Sequence, residues 1–313
     1  KAFYMSNIIA VIWDFDKTLI DGYMQAPLFE EYNVKGSDFW DEVNALPQTY
    51  REKGILVNKD TIYLNHILKY VRDGRFKGLN NEKLKSYGSM QHFYAGAIDL
   101  IKYTNEFPLH SEYGSKYQEY NIKVENYIVS TGMRKILEGT DLWMKKWVKG
   151  IWGCELIDEL NPETQEVELQ DIGFTIDNTS KTRALFEINK GIPLHPEIDV
   201  NAKVQESSRR VKFNHMIYIA DGPSDVPAFS VVKKFGGATF AVYPHGNQEA
   251  LNQVEKLRED GRVDMYAEAD YSEGTTAYMW ITHKIEEFAN QIYKEERERL
   301  AASVSEVPHH LTK

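Results

Sequence analysis

The chain has 313 residues, enough for one large domain or two modest ones with cores of their own, so a peptide or a disulfide miniprotein is excluded. With 42% apolar and 27% charged residues it has the make-up of a folded soluble chain, not a disordered one. Its 37 Lys and Arg stand against 47 Asp and Glu, a formal charge of -10; the attraction to phosphate backbones on which nucleic-acid binding rests is missing, so nucleic acid is not an expected partner.

In chain order, Asn7-Ile-Ile-Ala-Val-Ile-Trp13 is a continuous β-prone apolar run, as expected of a strand buried on both faces of a parallel sheet, and it breaks at Asp14-Phe15-Asp16-Lys17-Thr18-Leu19. Residues 24–32, 39–50, 61–73 and 81–87 then read as helices joined by Gly and Asn turns. Four helices are too many for one crossover, so 20–90 is assigned to an inserted helical module and 96–107 to the helix that returns to the sheet. Residues 108–121 read as a polar loop. A second apolar run, 127–129, ends at Ser130-Thr131-Gly132 before a helical pattern, and the alternation over 158–180 suits a hairpin. The third run, 216–220, ends at Asp221-Gly222-Pro223-Ser224-Asp225. Residues 276–300 form a helix with Met279, Ile281, Ile285, Phe288 and Ile292 on one side, and 301–313 are a disordered tail.

The expected fold class is therefore α/β, with a discontinuous core over 1–19 and 91–300. Three strands end in polar turns, and because ligands of open α/β sheets bind at the carboxyl ends of strands, these turns are expected to converge. Asp14 and Asp16, crowded at the end of a buried strand, repel each other and resist desolvation. A magnesium ion offsets both costs, and Asp221 and Asp225 offer further oxygens for it. The single cysteine, Cys154, excludes an intramolecular disulfide and a multi-cysteine zinc site and is read as a small buried hydrophobe. No apolar run approaches the ~20 residues that span a bilayer, and no secretory signal pattern is visible, so the expectation is a cytoplasmic protein with no membrane partner.

Taken together, Asp14-Phe15-Asp16-Lys17-Thr18-Leu19, Ser130, Lys181 at a helix start and Asp221-Gly222-Pro223-Ser224-Asp225 resemble the haloacid dehalogenase superfamily, and within it the phosphatases. The resemblance covers roughly 7–19 and 91–245. It implies a Rossmann-like parallel sheet, with 20–90 as its helical cap. It also implies Asp14 as a nucleophile that forms an aspartyl-phosphate, Asp16 as general acid and base, and Thr18 in support of the turn. Lys181 would neutralise charge beside Asp14. Ser130 would donate to a phosphoryl oxygen, together with the backbone N–H groups of Thr131 and Gly132 at a helix start. Mg2+ would be held by Asp14, the carbonyl of Asp16 and Asp221, with Asp225 a ligand directly or through water. Lys17 is read as a solvated loop side chain.

The second aspartate excludes the carbon-halogen-cleaving members, which lack it. The phosphoserine phosphatase branch is the nearest match, with two departures: Tyr23 stands where that branch has a glutamate, and Ser130-Thr131-Gly132 replaces Ser-Gly-Gly. The function expected is Mg2+-dependent hydrolysis of a small phosphorylated metabolite; a phosphomutase and a non-catalytic binder of a phosphorylated ligand are the alternatives. Tyr23 and Arg51 are placed at the substrate from the aromatic and cationic residues of the cap, with Gln25, Trp40, Tyr50, Tyr63, His66 and Arg72 as further candidates.

Overall fold

All six residues of the first apolar run are buried as β1 (Ile8–Trp13), which is possible only inside a sheet with both faces covered by helices. In the computed structural model, which describes residues 7–192, 199–205 and 208–305, the other strands are β2 (Lys123–Met133), β3 (Gly150–Leu160), β4 (Val167–Phe174), β5 (Met216–Ala220), β6 (Ala238–Tyr243) and β7 (Met265–Glu268). Their order is β4-β3-β2-β1-β5-β6-β7. Every neighbouring pair is parallel except β3 and β4, which pair antiparallel at one edge. The fold is thus the expected α/β sheet, with one antiparallel strand added.

The register explains why distant turns meet. Trp13 lies opposite Ile128 on one side and Ile219 on the other, so β1, β2 and β5 run level. Asp14, Ser130 and Asp221, each one or two residues further on, therefore emerge at one pole of the sheet. The backbone N–H of Asp14 still donates to the carbonyl of Ile219 at 2.9 Å, which ties the two acidic turns together.

Four boundaries differ from the sequence reading. Residues 108–121 are not a loop but hold two short helices, Phe107–His110 and Gly114–Glu119. The hairpin begins earlier than 158, because β3 starts at Gly150 and pairs with β2 before it turns into β4. β2 continues through Ser130, Thr131 and Gly132 to Met133 with an irregular register. The last helix, Thr276–Ser305, carries 301–305 in regular structure, so those residues are not a disordered tail; 306–313 lie outside the described residues.

The inserted span contains helices Ala26–Glu31, Gly36–Glu52, Ile62–Arg72 and Asn81–Ser86. Phe29, Phe39, Tyr70 and Phe76 pack ring against ring as a small core of its own. It also grips the β3–β4 hairpin. Leu169 N–H donates to the Leu79 carbonyl at 2.9 Å, Gly78 N–H to Glu168 Oε2 at 3.0 Å, and Asn81 N–H to Asp158 Oδ2 at 2.8 Å. The chain returns to the sheet through Gly96, whose φ is +73° and where a Cβ would lie 2.4 Å from the backbone of Tyr271, so only glycine fits there.

Candidate active site

Asp14 follows the last residue of β1 and is 7% exposed. Its Oδ1 accepts from the N–H of Phe15 at 2.8 Å and from Lys181 Nζ at 3.1 Å. Lys181 opens the helix Lys181–Lys190 and is 2% exposed, an exceptional place for a lysine unless it is paired. Its second partner is Asp225 Oδ1 at 2.8 Å, so one ammonium joins the turn after β1 to the turn after β5. Asp225 is fully buried, its Oδ1 also accepts from Tyr218 Oη at 2.8 Å, and its Oδ2 has no hydrogen-bond partner. Thr18 Oγ1 stands 3.5 Å from both Asp14 Oδ2 and Asp221 Oδ1. Asp16 has its Oδ1 fixed by the N–H of Met24 at 2.9 Å.

Burial sets the electrostatics. It pushes the carboxyl of Asp14 up to about 6 against the pull of Lys181, and that of Asp16 up to about 7 with help from the charge of Asp14. Asp221 and Asp225 are likewise raised to about 6, by burial first and then by the charge of Asp225 on Asp221 and of Asp14 on Asp225. Burial alone would lower Lys181, but the carboxylates of Asp14 and Asp225 outweigh it and hold the ammonium well above its usual range. One cation is thus set against a crowd of acids.

The donor set fits a divalent cation. One oxygen from each of Asp14, Asp221 and Asp225 lies within 4.8 Å of the others, and the buried Oδ2 of Asp225 lacks a donor. The carboxylate of Asp16 is not part of that group; the resemblance assigned its carbonyl, not its side chain, to the metal.

Not every expected binding residue arrives. Ser130 is buried at the same pole, but its Oγ accepts from the N–H of Gly132 at 2.9 Å. Residues 130–132 lie in β2 and not at a helix start, since the helix Arg134–Glu138 begins only after Met133. Gly132 packs against Met24: a Cβ there would sit 2.2 Å from the thioether methyl, and the end of that side chain would have to shift. Met24 Sδ also accepts from the N–H of Met133 at 3.2 Å. The carbonyl of Thr131 accepts from Tyr63 Oη at 2.7 Å. Arg51 is exposed in the last turn of its helix and makes no hydrogen bond or ion pair to these residues, so the structure does not bring it to the site. Tyr23 is 41% exposed, tilted against Trp40, with Lys17 Nζ 4.6 Å from its ring centre. Lys17 is therefore not simply solvated. It is half-buried at φ +58°, and although burial lowers its ammonium, Tyr23 and then the charges of Asp221 and Asp16 raise it. Among the other cap candidates, Trp40, Tyr63 and His66 pack in the insertion's aromatic core, and Arg72 is exposed.

Sequence reasoning passed over Tyr218 and Met24. A tyrosine in an aliphatic strand needs a partner for its hydroxyl once buried, a signal that could have found Tyr218. Met24 had no such signal. A cavity of about 940 Å³ between Ser86 and Trp143 does not touch these residues, whereas one of about 300 Å³ borders Asp221.

No protein-family model matches the chain. An uncharacterized protein of Borreliella burgdorferi is 38% identical over 292 residues, which are 89% of this chain and 97% of that protein. Among solved structures, a HAD-family hydrolase of Salmonella enterica subsp. enterica serovar Typhi superposes with a TM-score of 0.48 at 14% identity, over 84% of this chain and 67% of that one. A phosphoserine phosphatase holding an analogue of its phospho-aspartyl intermediate gives 0.43 at 17% identity, over 83% and 92%.

Proposed function

The chain belongs to one family with the Borreliella burgdorferi protein, and from the site's own geometry we propose that it is a Mg2+-dependent phosphomonoester hydrolase of the haloacid dehalogenase type, acting on a small phosphorylated metabolite. The observation that carries this reading is the buried Lys181 bridging Asp14 and Asp225, with Asp221 in ligand reach of both acids. A buried cation amid an excess of carboxylates is costly as structure alone, and it is what a phosphoryl group and a metal ion need.

In this reading Lys181 and the N–H of Phe15 hold Oδ1 of Asp14. The carboxylate is thereby oriented for in-line attack on phosphorus; the P–O bond to the leaving group breaks as the Asp14–phosphorus bond forms. Asp16, fixed through one oxygen by Met24 and raised to about 7, is half protonated near neutrality. It gives its proton to the departing oxygen and then, as a carboxylate, takes one from the water that cleaves the aspartyl-phosphate, each a step worth ~10²- to 10⁴-fold. In this reading the Ser130 hydroxyl, whose lone pair holds Gly132 N–H, donates its proton to a phosphoryl oxygen. Asp14, Asp221, Asp225 and the carbonyl of Asp16 would hold the metal, which when bound supplies positive charge against the transferring phosphoryl group. Asp16 also supports the phosphatase reading over the dehalogenase one, since breaking a carbon-halogen bond requires no proton for the leaving group.

The test is phosphate release from a panel of metabolite monoesters and p-nitrophenyl phosphate, with Mg2+ and with excess EDTA. Release that requires Mg2+ and falls at least ~10³-fold in Asp14→Asn is the expected result. Release undiminished by chelation refutes the metal site, and turnover within tenfold of the native rate in Asp14→Asn refutes the nucleophile.

A further inference from the structure

We infer that Asp177 is a positioning residue for Lys181 and that the insertion, through its turn at 58–60, holds Asp177 in that role; this rests on the phosphatase reading above. Lys181 reaches Asp14 and Asp225 on a flexible four-carbon stem, so the place of its ammonium depends on where the helix Lys181–Lys190 begins. The side chain of Ser180, the residue before it, does not cap that helix. The cap lies a turn earlier. Asp177 Oδ1 accepts from the N–H of Ser180 at 2.7 Å, Ser180 Oγ accepts from the N–H of Asp177 at 2.8 Å, and the carbonyl of Asp177 accepts from the N–H of Lys181 at 3.0 Å. Reciprocal bonds of this kind fix the first turn of a helix.

The other oxygen of Asp177 is taken by the insertion. Its Oδ2 accepts from Asn58 Nδ2 at 2.9 Å, and the N–H of Asn178 donates to Asp60 Oδ2 at 3.1 Å. Asn58 is itself set for this bond, because its Oδ1 accepts from the N–H of Asp60 at 2.9 Å and its NH2 is left for Asp177. The carbonyl of Asn58 accepts from the N–H of Ile62 at 2.9 Å, where the helix Ile62–Arg72 begins, and Tyr63 of that helix donates to Thr131 beside Ser130. Residues 58–63 therefore bind both segments that bring Lys181 and Ser130 to the pole of the sheet. The insertion has the footing to hold them, since the backbone of Gly78, Leu79 and Asn81 is bonded to the β3–β4 hairpin.

What this clasp supplies is position more than stability. Asn58 is exposed and Asp60 and Asp177 are half-buried, so their bonds compete with water and add modestly to folding. A shift of the helix start, by contrast, moves the ammonium off its two acids, and a misplacement of about 1 Å at a reacting centre costs ~10²-fold in rate. The N–H of Ser180 first, and then the NH2 of Asn58, hold the carboxyl of Asp177 below the usual carboxylate range against its burial. It is therefore an acceptor on both oxygens near neutrality.

The experiment exchanges the two partners. Asp177→Asn keeps one acceptor oxygen and cannot serve both Ser180 and Asn58, and Asn58→Asp sets a carboxylate against a carboxylate; the two together restore a donor opposite an acceptor. With p-nitrophenyl phosphate in Mg2+, each single variant is expected to lower kcat about tenfold with KM within about twofold of native, and the double variant to recover most of the loss. A second readout is independent of activity. Asn58→Ala and Lys181→Met, alone and combined, are compared in thermal unfolding; Asn58 and Lys181 share no partner, so a merely structural clasp gives additive losses of Tm, whereas a clasp that holds Lys181 gives a combined loss smaller than the sum. Single variants within about twofold of the native kcat, a rise in KM alone, a loss that the exchange does not restore, or additive losses of Tm each overturn this inference and leave the phosphatase reading standing. A native protein that releases phosphate from no ester overturns that reading, and the unfolding comparison then decides this one.

Discussion

Replacing Lys181 with methionine keeps an unbranched stem in the core and removes the ammonium that stands 3.1 Å from Asp14 and 2.8 Å from Asp225. At about pH 8 the variant holds Asp14, Asp221 and Asp225 together with no cation between them. Deleting one partner of a buried ion pair costs about 3–5 kcal/mol, which for a domain of this size lowers Tm by roughly 10 °C. The loss depends on pH in a set direction. A carboxyl raised from 3.8 to about 6 in the fold keeps a proton that the unfolded chain has released. Its contribution is therefore greatest below 3.8 and is lost as pH rises through 6, an effect of roughly 3 kcal/mol for one such group. In Lys181→Met the folded values rise further, so the deficit against the native protein shrinks from about pH 8 to about pH 5 as the acids protonate. Saturating Mg2+ at about pH 8 restores part of it, because the metal supplies the missing positive charge to the same oxygens. Thermal unfolding of both proteins at the two pH values, with and without Mg2+, measures all three effects. A variant as stable as the native protein at about pH 8, or a deficit that does not change with pH, refutes the view that Lys181 is held there by its two acids.

Three further outcomes follow from the same geometry. Asp16→Asn should slow esters with poor leaving groups by ~10²- to 10⁴-fold and p-nitrophenyl phosphate much less, since that leaving group needs no proton; equal losses on both would remove Asp16 from the acid role. His215 is buried with neither ring nitrogen partnered, and burial lowers it to about 4. The unfolded chain therefore takes up its proton first, and stability falls as pH drops from 6.5 toward 4, by up to roughly 3 kcal/mol. His215→Phe should lack this slope in acid titrations of unfolding, and an unchanged slope would assign it elsewhere. Tyr63→Phe removes the 2.7 Å bond to Thr131 and should destabilise the protein by about 1 kcal/mol in urea unfolding; a null effect would show that this contact does not fasten the insertion to β2.

The cluster of Asp14, Lys181, Asp221 and Asp225 was legible in the sequence because its parts sit where buried strands end or a helix begins. An apolar run such as Ile8–Trp13 that stops at Asp14 has one place to go in a parallel sheet, and the level register of β1, β2 and β5 does the rest. Ser130-Thr131-Gly132 misled because serine and glycine commonly open a helix, whereas here β2 runs on through them and Gly132 packs against Met24 from a segment more than a hundred residues away. That contact is tertiary and leaves no local pattern. Lys17 looked like a loop lysine because nothing in its neighbours shows that it lies over Tyr23. The aromatic residues of the insertion proved the least informative, since a small helical module must bury rings to be stable, and Trp40, Tyr63 and His66 do so whatever the substrate. The two short helices within 107–119 were hidden by length: one turn each, they carry no apolar period.

The central claim is that Asp14 takes the phosphoryl group onto itself. Acid quench of the protein within one turnover of a ³²P-labelled monoester in Mg2+, followed by peptide mapping, tests it most directly. The account predicts label in substoichiometric to stoichiometric amount on the peptide carrying Asp14, lost under hydroxylamine and absent from Asp14→Asn. Phosphate released with no labelled protein at any quench time, or label that persists in Asp14→Asn, would contradict it.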